Sequence, residues 1–441
     1  MGQGKADLGG FFRLLLTLSL ICCVIRPAAA ETASAQPTPT PCPAFLPKQT
    51  QCFTGKSSAG APFFIAIPRN WNQNLILFAH GGPRLGAPKL AETIEDLERF
   101  QVMVSEGYAW AGTTYRRGGY GVRSAAEDMD QLRTLTWQHF GRPRRTILHG
   151  QSWGGNVAAK AAELYAMDLE GRRNFDGAVL TSGVLAGGTR AYRLRSDLRA
   201  VYHYYCRNHP RPSEVQYPLW QGLPVGTTMT RAELAERVRE CTGVGTPAAE
   251  RTAAQKARLQ NITQVLSIKE DQILPNLAWA TNTFQDMIGR LNGRNPFSNH
   301  GVVYKGSDND RALNAGVERF AADPIAVAEL AYDSDLSGLI VAPVITVHGI
   351  HDPVANVSHQ AAYRLTIEQA GRGDLLVQSF TDEAEHSRLS VPAYPSIFSA
   401  LMKWIDTGQK PTQESIKAAC PKFAEKYGEP CLFVVPYSPV P

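Results

Sequence analysis

The sequence predicts an α/β protein with a mostly parallel central sheet, helices on both faces of the sheet and an inserted helical cap. Between residues 74 and 181, short apolar runs alternate with segments whose apolar residues recur at helical spacing. Such alternation is typical of a parallel sheet covered by helices. It stops near Gly188 and resumes with an apolar run at residues 342–348, so we expect one sheet domain interrupted by an insertion.

Residues 1–30 have the pattern of a secretory signal peptide. Lys5 and Arg13 precede an apolar run over residues 14–25, and small residues lead up to Ala30. A basic start, a short apolar core and a small-residue cleavage site define such leaders. The run is too short to span a bilayer. We therefore predict an exported protein, periplasmic or secreted, without stable membrane insertion after the leader is removed.

Composition places the chain among ordinary globular proteins. Of its 441 residues, 44% are hydrophobic and 19% are charged, which argues against extended disorder. The net charge of +5 falls to +3 without the three basic residues and one acidic residue of the leader. This weak basicity gives no indication of a nucleic-acid partner. Residues 31–41 are rich in Ala, Thr and Pro, so we expect a flexible mature N-terminus.

Six cysteines follow the leader, and an even number in an exported protein suggests disulfide bonds. Their count alone leaves many pairings open. They fall into three couples that are close in sequence, and we predict the pairs Cys42 with Cys52, Cys206 with Cys241, and Cys420 with Cys431.

The chemistry is predicted by the segment Gly-Gln-Ser-Trp-Gly at residues 150–154. An apolar strand precedes it, and an Ala-rich helix over residues 156–164 follows it. A nucleophile elbow requires this order, because a sharp strand-to-helix turn exposes the serine at the top of the sheet. Glycines at both ends omit Cβ atoms where strand and helix come close. We predict Ser152 as the nucleophile.

A serine hydroxyl needs a histidine as base and an acid that orients the histidine. Where the serine occupies such an elbow, the acid and then the histidine follow in the chain. Asp352 lies in the loop after the strand at residues 342–348, and His386 follows the last predicted strand. We predict Asp352 as the acid and His386 as the base.

Several neighbours are alternatives for these roles. We interpret three histidines around the acid loop as structural: His348, His351 and His359. We expect three acidic residues beside the base to lie in solvent, although the last could modulate the histidine: Asp382, Glu383 and Glu385.

An oxyanion hole is expected from two backbone amides. One belongs to Trp153, directly after the nucleophile, and the other to Gly82 in the loop after the strand at residues 74–79. Pro83 cannot contribute because it has no N–H. The histidines lie on separate loops without a ligand motif, and we predict neither a metal nor a cofactor.

Residues 188–335 are interpreted as a helical cap, with helices predicted at residues 231–242, 253–265, 276–291 and 310–322. Its aromatic residues are expected to form mainly the cap's own core. They include Tyr202, Tyr204, Tyr205, Trp220, Trp279 and Phe284. The predicted hydrolase core then comprises residues 42–187 and 336–409, and residues 410–441 form a disulfide-stapled extension.

The combined motifs resemble the α/β-hydrolase superfamily, in particular its capped proline iminopeptidase-like serine hydrolases and esterases. The resemblance rests on His80-Gly81-Gly82-Pro83, the Arg-Gly-Gly-Tyr-Gly loop at residues 117–121, the elbow, Asp352 and His386. It implies the α/β-hydrolase fold and serine-dependent hydrolysis. For the peptidase group, the resemblance implies that acidic cap residues bind the free amino terminus of the substrate. Candidates in this cap are Glu214, Glu233, Glu236, Glu240, Glu270, Asp271 and Asp286.

Three functions remain open at this point. The first is an exported serine hydrolase that cleaves a small-molecule or oligomeric carboxylic ester through an acyl-enzyme. The second is a proline iminopeptidase-like aminopeptidase that uses the same triad on a peptide. The third is a hydrolase-fold binding protein without catalysis, which would require none of the three predicted residues.

Overall fold

A mixed sheet of ten strands forms the centre of the computed structural model, which describes residues 1–2 and 36–440. The strands are β1 (Thr38–Thr40), β2 (Gln51–Lys56), β3 (Pro62–Ile67), β4 (Asn74–Ala79), β5 (Ala109–Thr113), β6 (Arg145–Gln151), β7 (Gly177–Thr181), β8 (Val344–Gly349), β9 (Leu376–Thr381) and β10 (Phe433–Val434). Their spatial order is β1-β2-β3-β5-β4-β6-β7-β8-β9-β10.

The middle of the sheet is parallel and its margins are antiparallel. Strands β5, β4, β6, β7, β8 and β9 pair in parallel, whereas β1, β2 and β3 at one side and β10 at the other pair antiparallel to their neighbours. The parallel strands β4, β5, β7 and β8 are buried along their whole length, which explains their continuous apolar runs. The predicted mostly parallel sheet is confirmed.

Fourteen α-helices occur in the described part of the chain. They are α1 (Leu90–Ser105), α2 (Val122–Phe140), α3 (Trp153–Leu164), α4 (Gly188–Ala191), α5 (Arg193–Cys206), α6 (Arg231–Thr242), α7 (Ala253–Leu266), α8 (Glu270–Arg290), α9 (Asp310–Gly316), α10 (Pro324–Ser334), α11 (Ser358–Gln369), α12 (Ala393–Thr407), α13 (Gln413–Ala419) and α14 (Pro421–Tyr427). Helices α1 and α12 pack on one face of the sheet, and α2 and α3 pack on the other. The predicted coverage of both faces is therefore confirmed.

Helices α4 to α10 lie in the segment between β7 and β8, where the sequence predicts a cap. Two predicted boundaries were wrong. Helix α8 begins at Glu270 and includes Pro275, although a proline inside a helix removes one backbone hydrogen bond. Helix α9 ends at Gly316, since Val317 has an extended backbone with φ −70° and ψ 137°. The side chains of Tyr202 and Phe284 are buried. The interpretation of this segment as a separate cap stays a prediction.

The two ends of the described chain are attached to the sheet. Residues 38–40 were expected to be flexible but form the edge strand β1 against β2, with Thr40 opposite Cys52. An edge strand tolerates a proline, here Pro39, and the adjacent disulfide of Cys42 holds the strand in place. At the other end, β10 pairs with β9. The predicted signal peptide lies outside the described residues, apart from residues 1 and 2.

All three predicted cysteine pairs are present as disulfides. The Cα–Cα distances are 5.3 Å for Cys42–Cys52, 5.5 Å for Cys206–Cys241 and 6.0 Å for Cys420–Cys431. The second pair ties the end of α5 to the end of α6. Among the described residues, none of the helices combines the length and apolar character that crossing a bilayer would require.

Candidate active site

The segment around Ser152 forms a strained corner between β6 and α3. Ser152 has φ 57° and ψ −124°, a conformation that non-glycine residues adopt only at a cost. A Cβ on Gly150 would lie 2.2 Å from the carbonyl oxygen of Gly154, and one on Gly154 would lie 2.1 Å from that of Ala79. Only glycine fits at both positions, as the elbow motif predicts.

Ser152, His386 and Asp352 form one continuous hydrogen-bonded chain. The Ser152 Oγ atom lies 2.8 Å from His386 Nε2. On the other side of the ring, Nδ1 lies 2.9 Å from Oδ1 and 2.8 Å from Oδ2 of Asp352. The structure therefore brings the three predicted residues together, although they are far apart in sequence.

The order of the strands explains this convergence. From β2 to β9 the sheet has the order β2-β3-β5-β4-β6-β7-β8-β9. The serine follows β6, the acid follows β8 and the histidine follows β9, all at the carboxyl edge of the parallel strands, in the chain order of this superfamily. The chain has the α/β-hydrolase fold. The predicted resemblance is confirmed at the level of the fold.

Asp352 is held as an ionised acceptor within this hydrolase fold. Burial raises the pKa of Asp352, but the hydrogen bond and charge of His386, with a smaller contribution from the Val354 amide, lower it below its ordinary value. Its side chain is 1% exposed, and that of His386 is 19% exposed. An ionised Asp352 requires the His386 proton on Nδ1, which leaves Nε2 free to accept the Ser152 proton.

The acid loop is fixed by its own backbone. Asp352 Oδ1 accepts hydrogen bonds from the amides of Val354, at 2.8 Å, and Ala355, at 2.9 Å. His348 Nε2 lies 2.8 Å from the Ala355 carbonyl oxygen, and burial lowers the His348 pKa, so the ring is neutral. Burial likewise lowers the pKa of His359 to about 3. His348 therefore supports the acid loop, and neither histidine forms a hydrogen bond with Ser152 among the described residues.

The residues beside His386 differ in exposure. His351 and Asp382 are exposed and form an ion pair at 3.2 Å, and Glu385 is also exposed. The expectation that Glu383 lies in solvent was wrong. Glu383 is buried because the loop folds back, and its Oε1 accepts the Ser390 amide at 2.9 Å.

Gln151 supports the histidine loop and was missed in the sequence. Its buried side chain donates to the carbonyl oxygen of Ser387 at 2.8 Å and accepts from Arg99 at 2.8 Å. It thereby links the residue before the nucleophile to the residue after the base. The available signal was a long polar side chain at the end of a strand that leads directly into the nucleophile.

A cavity of about 350 Å³ opens above Ser152 and His386. Gly82 and Trp153, the predicted oxyanion donors, both line it. A Cβ on the neighbouring Gly81 would lie 3.8 Å from the Ser152 Cβ, so this loop passes beside the nucleophile. Trp153 is the first residue of α3, where the amide has no acceptor within the helix. Their role as oxyanion donors stays a prediction.

The charged side chains that line the cavity are mainly basic. The charged lining residues are Arg84, Arg99, Arg195 and Asp96. Asp96 is not free, because its carboxylate contacts His80 Nδ1 in a buried pair. Tyr192 and Trp279 form an aromatic wall, stacked with ring centroids 4.2 Å apart. The described residues contain no group of three or more His, Cys, Asp or Glu side chains suited to hold a metal ion.

None of the seven acidic cap candidates lines this cavity. Four of them form ion pairs with arginines of the same inserted segment: Glu214 with Arg237, Glu236 with Arg239, Glu240 with Arg211, and Glu270 with Arg251. Asp286 pairs with Arg290 and accepts the Tyr120 amide, Glu233 caps α6, and Asp271 is exposed.

Comparisons with known proteins give distant similarities. No protein-family model matches the chain. An o-phthalyl amidase from Xanthobacter agilis is 27% identical over 118 residues, which cover 25% of this chain and 24% of the amidase. The similarity therefore spans about a quarter of that protein.

Two similar solved structures are a fungal esterase and a yeast lipase. An esterase from Aspergillus oryzae aligns with a TM-score of 0.43 and 15% identity, over 82% of this chain and 81% of the esterase. Candida antarctica lipase A in its closed state aligns with a TM-score of 0.46 and 12% identity, over 87% of this chain and 84% of the lipase. The assignment of the fold rests on the strand order and the elbow.

Proposed function

We propose that the protein is an exported serine hydrolase that cleaves a carboxylic ester through an acyl-enzyme. The observation that carries the proposal is the hydrogen-bonded chain from Ser152 through His386 to Asp352, with the serine at the base of a cavity. Such a chain supplies a nucleophile, its base and the acid that orients the base.

In the first half of the reaction, Ser152 Oγ attacks the ester carbonyl carbon while its proton passes to His386 Nε2. The carbonyl oxygen becomes an oxyanion, which the amides of Gly82 and Trp153 would stabilise. The intermediate then collapses. Its C–O bond to the alcohol breaks, and His386 returns the proton to the departing oxygen.

In the second half, water attacks the acyl-enzyme. His386 accepts a proton from the water, the C–O bond to Ser152 breaks, and the proton moves to Ser152 Oγ. Asp352 stays ionised throughout and stabilises the imidazolium in both halves. The depressed pKa of Asp352 supports this role.

The charge of the cavity argues against the aminopeptidase alternative. A free amino terminus is recognised by unpaired carboxylates, and the only carboxylate in the lining of this cavity, Asp96, is paired with His80. The acidic cap residues form ion pairs or hydrogen bonds with other groups, or are exposed to solvent. Arg84 is paired with Glu92 and Glu95, but Arg99 and Arg195 form no ion pair within residues 36–440 and favour neutral or anionic substrates.

Amide hydrolysis is a second candidate, favoured by the partial similarity to an o-phthalyl amidase. The same Ser152, His386 and Asp352 would serve, with an amine in place of the alcohol as the leaving group. Paired esters and amides with one acyl group would separate the two candidates.

The three disulfides support export, since such bonds persist in oxidising compartments. Cleavage after Ala30 would leave Glu31 as the first residue of the mature protein. Intact-mass measurement of the exported protein tests this, and a retained leader would contradict it.

The test of the proposed activity is turnover of short p-nitrophenyl esters by the full mature chain. Ser152→Ala should abolish turnover, while the control Ser213→Ala, at an exposed position, should not alter it. Retained turnover in Ser152→Ala would contradict the proposal. A clear preference for amino-acyl arylamides would favour the aminopeptidase, and an inert folded wild type would favour a binding protein.

A further inference from the structure

Arg195 is a buried cation in the cavity beside Ser152. It lies in the first turn of α5, and 3% of the residue is exposed. Its Nε donates to Asn276 Oδ1 at 3.1 Å, and its Nη2 donates to the Val354 carbonyl oxygen at 3.0 Å. Both acceptors are neutral. Within residues 36–440 no carboxylate forms an ion pair with this guanidinium.

A buried charge without a counter-ion is costly. Burial lowers the pKa of Arg195 to about 10, and the side chain therefore remains protonated at neutral pH. Among carboxylates, Asp352 acts on this charge, but Asp352 is already bound to His386. The other buried arginine among the described residues is Arg199. It donates to three backbone carbonyls and lines no cavity described above.

Aromatic rings fix the plane of the guanidinium. Its Cζ lies 4.4 Å from the centroid of Trp279 and 5.5 Å from that of Tyr192. A guanidinium has five N–H groups, and only two of them are used here. The remaining donors form a rigid fork of the kind that binds a carboxylate through two hydrogen bonds.

We propose that the substrate carries a carboxylate that binds Arg195, so that the enzyme acts on half-esters of dicarboxylic acids or on esters of carboxylated alcohols. This inference rests on the proposed serine hydrolase function and assigns its substrate class. Arg99 lines the same cavity and adds positive potential that attracts such an anion, whereas the charge of Arg84 is balanced by Glu92 and Glu95.

Arg195 also contacts the acid loop, and the test must separate this contact from binding of a carboxylate. Its Nη2 holds the Val354 carbonyl, while Asn276 Nδ2 donates to the Pro353 carbonyl at 3.2 Å. The matched control is therefore Asn276→Ala, which loosens the same loop and retains the guanidinium. Loss of positioning lowers kcat for every substrate, whereas loss of the cation raises KM only for anionic ones.

Two substrate pairs test the two possible positions of the carboxylate, in the acyl group and in the alcohol group of the ester. The first is p-nitrophenyl hydrogen glutarate against p-nitrophenyl valerate, and the second is 3-acetoxybenzoate against phenyl acetate. We expect at least a roughly tenfold preference in kcat/KM for the anionic member of one pair. Arg195→Gln should bring that ratio to about one, and Arg195→Lys should keep part of it. Asn276→Ala removes the acceptor of Arg195 Nε but keeps the cation, so it should keep most of the ratio.

A ratio near one for the wild type in both pairs would overturn the inference while leaving the serine hydrolase proposal intact. So would a preference that survives Arg195→Gln. A binding measurement is independent of turnover, because Ser152→Ala should bind glutarate or phthalate with a change in intrinsic tryptophan fluorescence, since Trp153 and Trp279 line the cavity. The double variant with Arg195→Gln should bind at least about tenfold more weakly, and equal binding would also overturn the inference.

Discussion

Replacing Asp352 by Asn should move the ring proton of His386 from Nδ1 to Nε2. Oδ1 of Asp352 is held by the amides of Val354 and Ala355, so the asparagine oxygen must take this position. The new NH2 group then occupies the Oδ2 position, which lies 2.8 Å from His386 Nδ1. Oδ1 lies 2.9 Å from the same nitrogen, but a donor at the closer Oδ2 position opposes an N–H at Nδ1. It thereby favours the tautomer with the ring proton on Nε2, which blocks proton transfer from Ser152.

The expected loss of activity is large because His386 can no longer act as the base, although the geometry of the site is kept. Removing the acid of such a triad lowers kcat by about 10³ to 10⁴, or roughly 4 to 5.5 kcal/mol of transition-state stabilisation. The assay is kcat/KM for the best ester near pH 7. The control is Asp382→Asn, at an exposed acid on the neighbouring loop, which should remain near wild type. A loss below about tenfold for Asp352→Asn would refute the role of Asp352.

Two further predictions concern stability. Gly154→Ala should destabilise the fold by about 3 kcal/mol or more in urea unfolding, because its Cβ would lie 2.1 Å from the Ala79 carbonyl oxygen; a cost below about 1 kcal/mol would contradict this. Burial lowers the pKa of His149 from 6.5 to about 3, so its contribution is present above pH 6.5 and is lost as the pH falls towards 3. Between about pH 7 and pH 5, the free energy of unfolding of His149→Phe should fall by about 2 kcal/mol less than that of the wild type. Equal decreases would contradict the lowered pKa of His149.

The parts of the fold that could be predicted are those fixed by local pattern. The elbow required glycines at 150 and 154, and the sheet then dictated where an acid and a histidine must follow. Asp352 and His386 were the candidates on the appropriate strand ends, and the structure brings both to Ser152.

The cavity wall could not be predicted in the same way. The residues around Arg195 read as a polar, Arg-rich stretch, yet α5 buries both Arg195 and Arg199 against backbone carbonyls supplied by distant loops. Burial of Glu383 and the link through Gln151 also depend on how two loops meet. Such long-range contacts leave no periodic signal in the sequence.

The central claim is that Ser152 is an activated nucleophile. The most direct measurement is mass spectrometry of the folded mature protein after reaction with a fluorophosphonate, followed by peptide mapping. We expect a single adduct, located on Ser152, that is lost in His386→Ala. An unlabelled folded protein, or an adduct on another residue in place of Ser152, would contradict it.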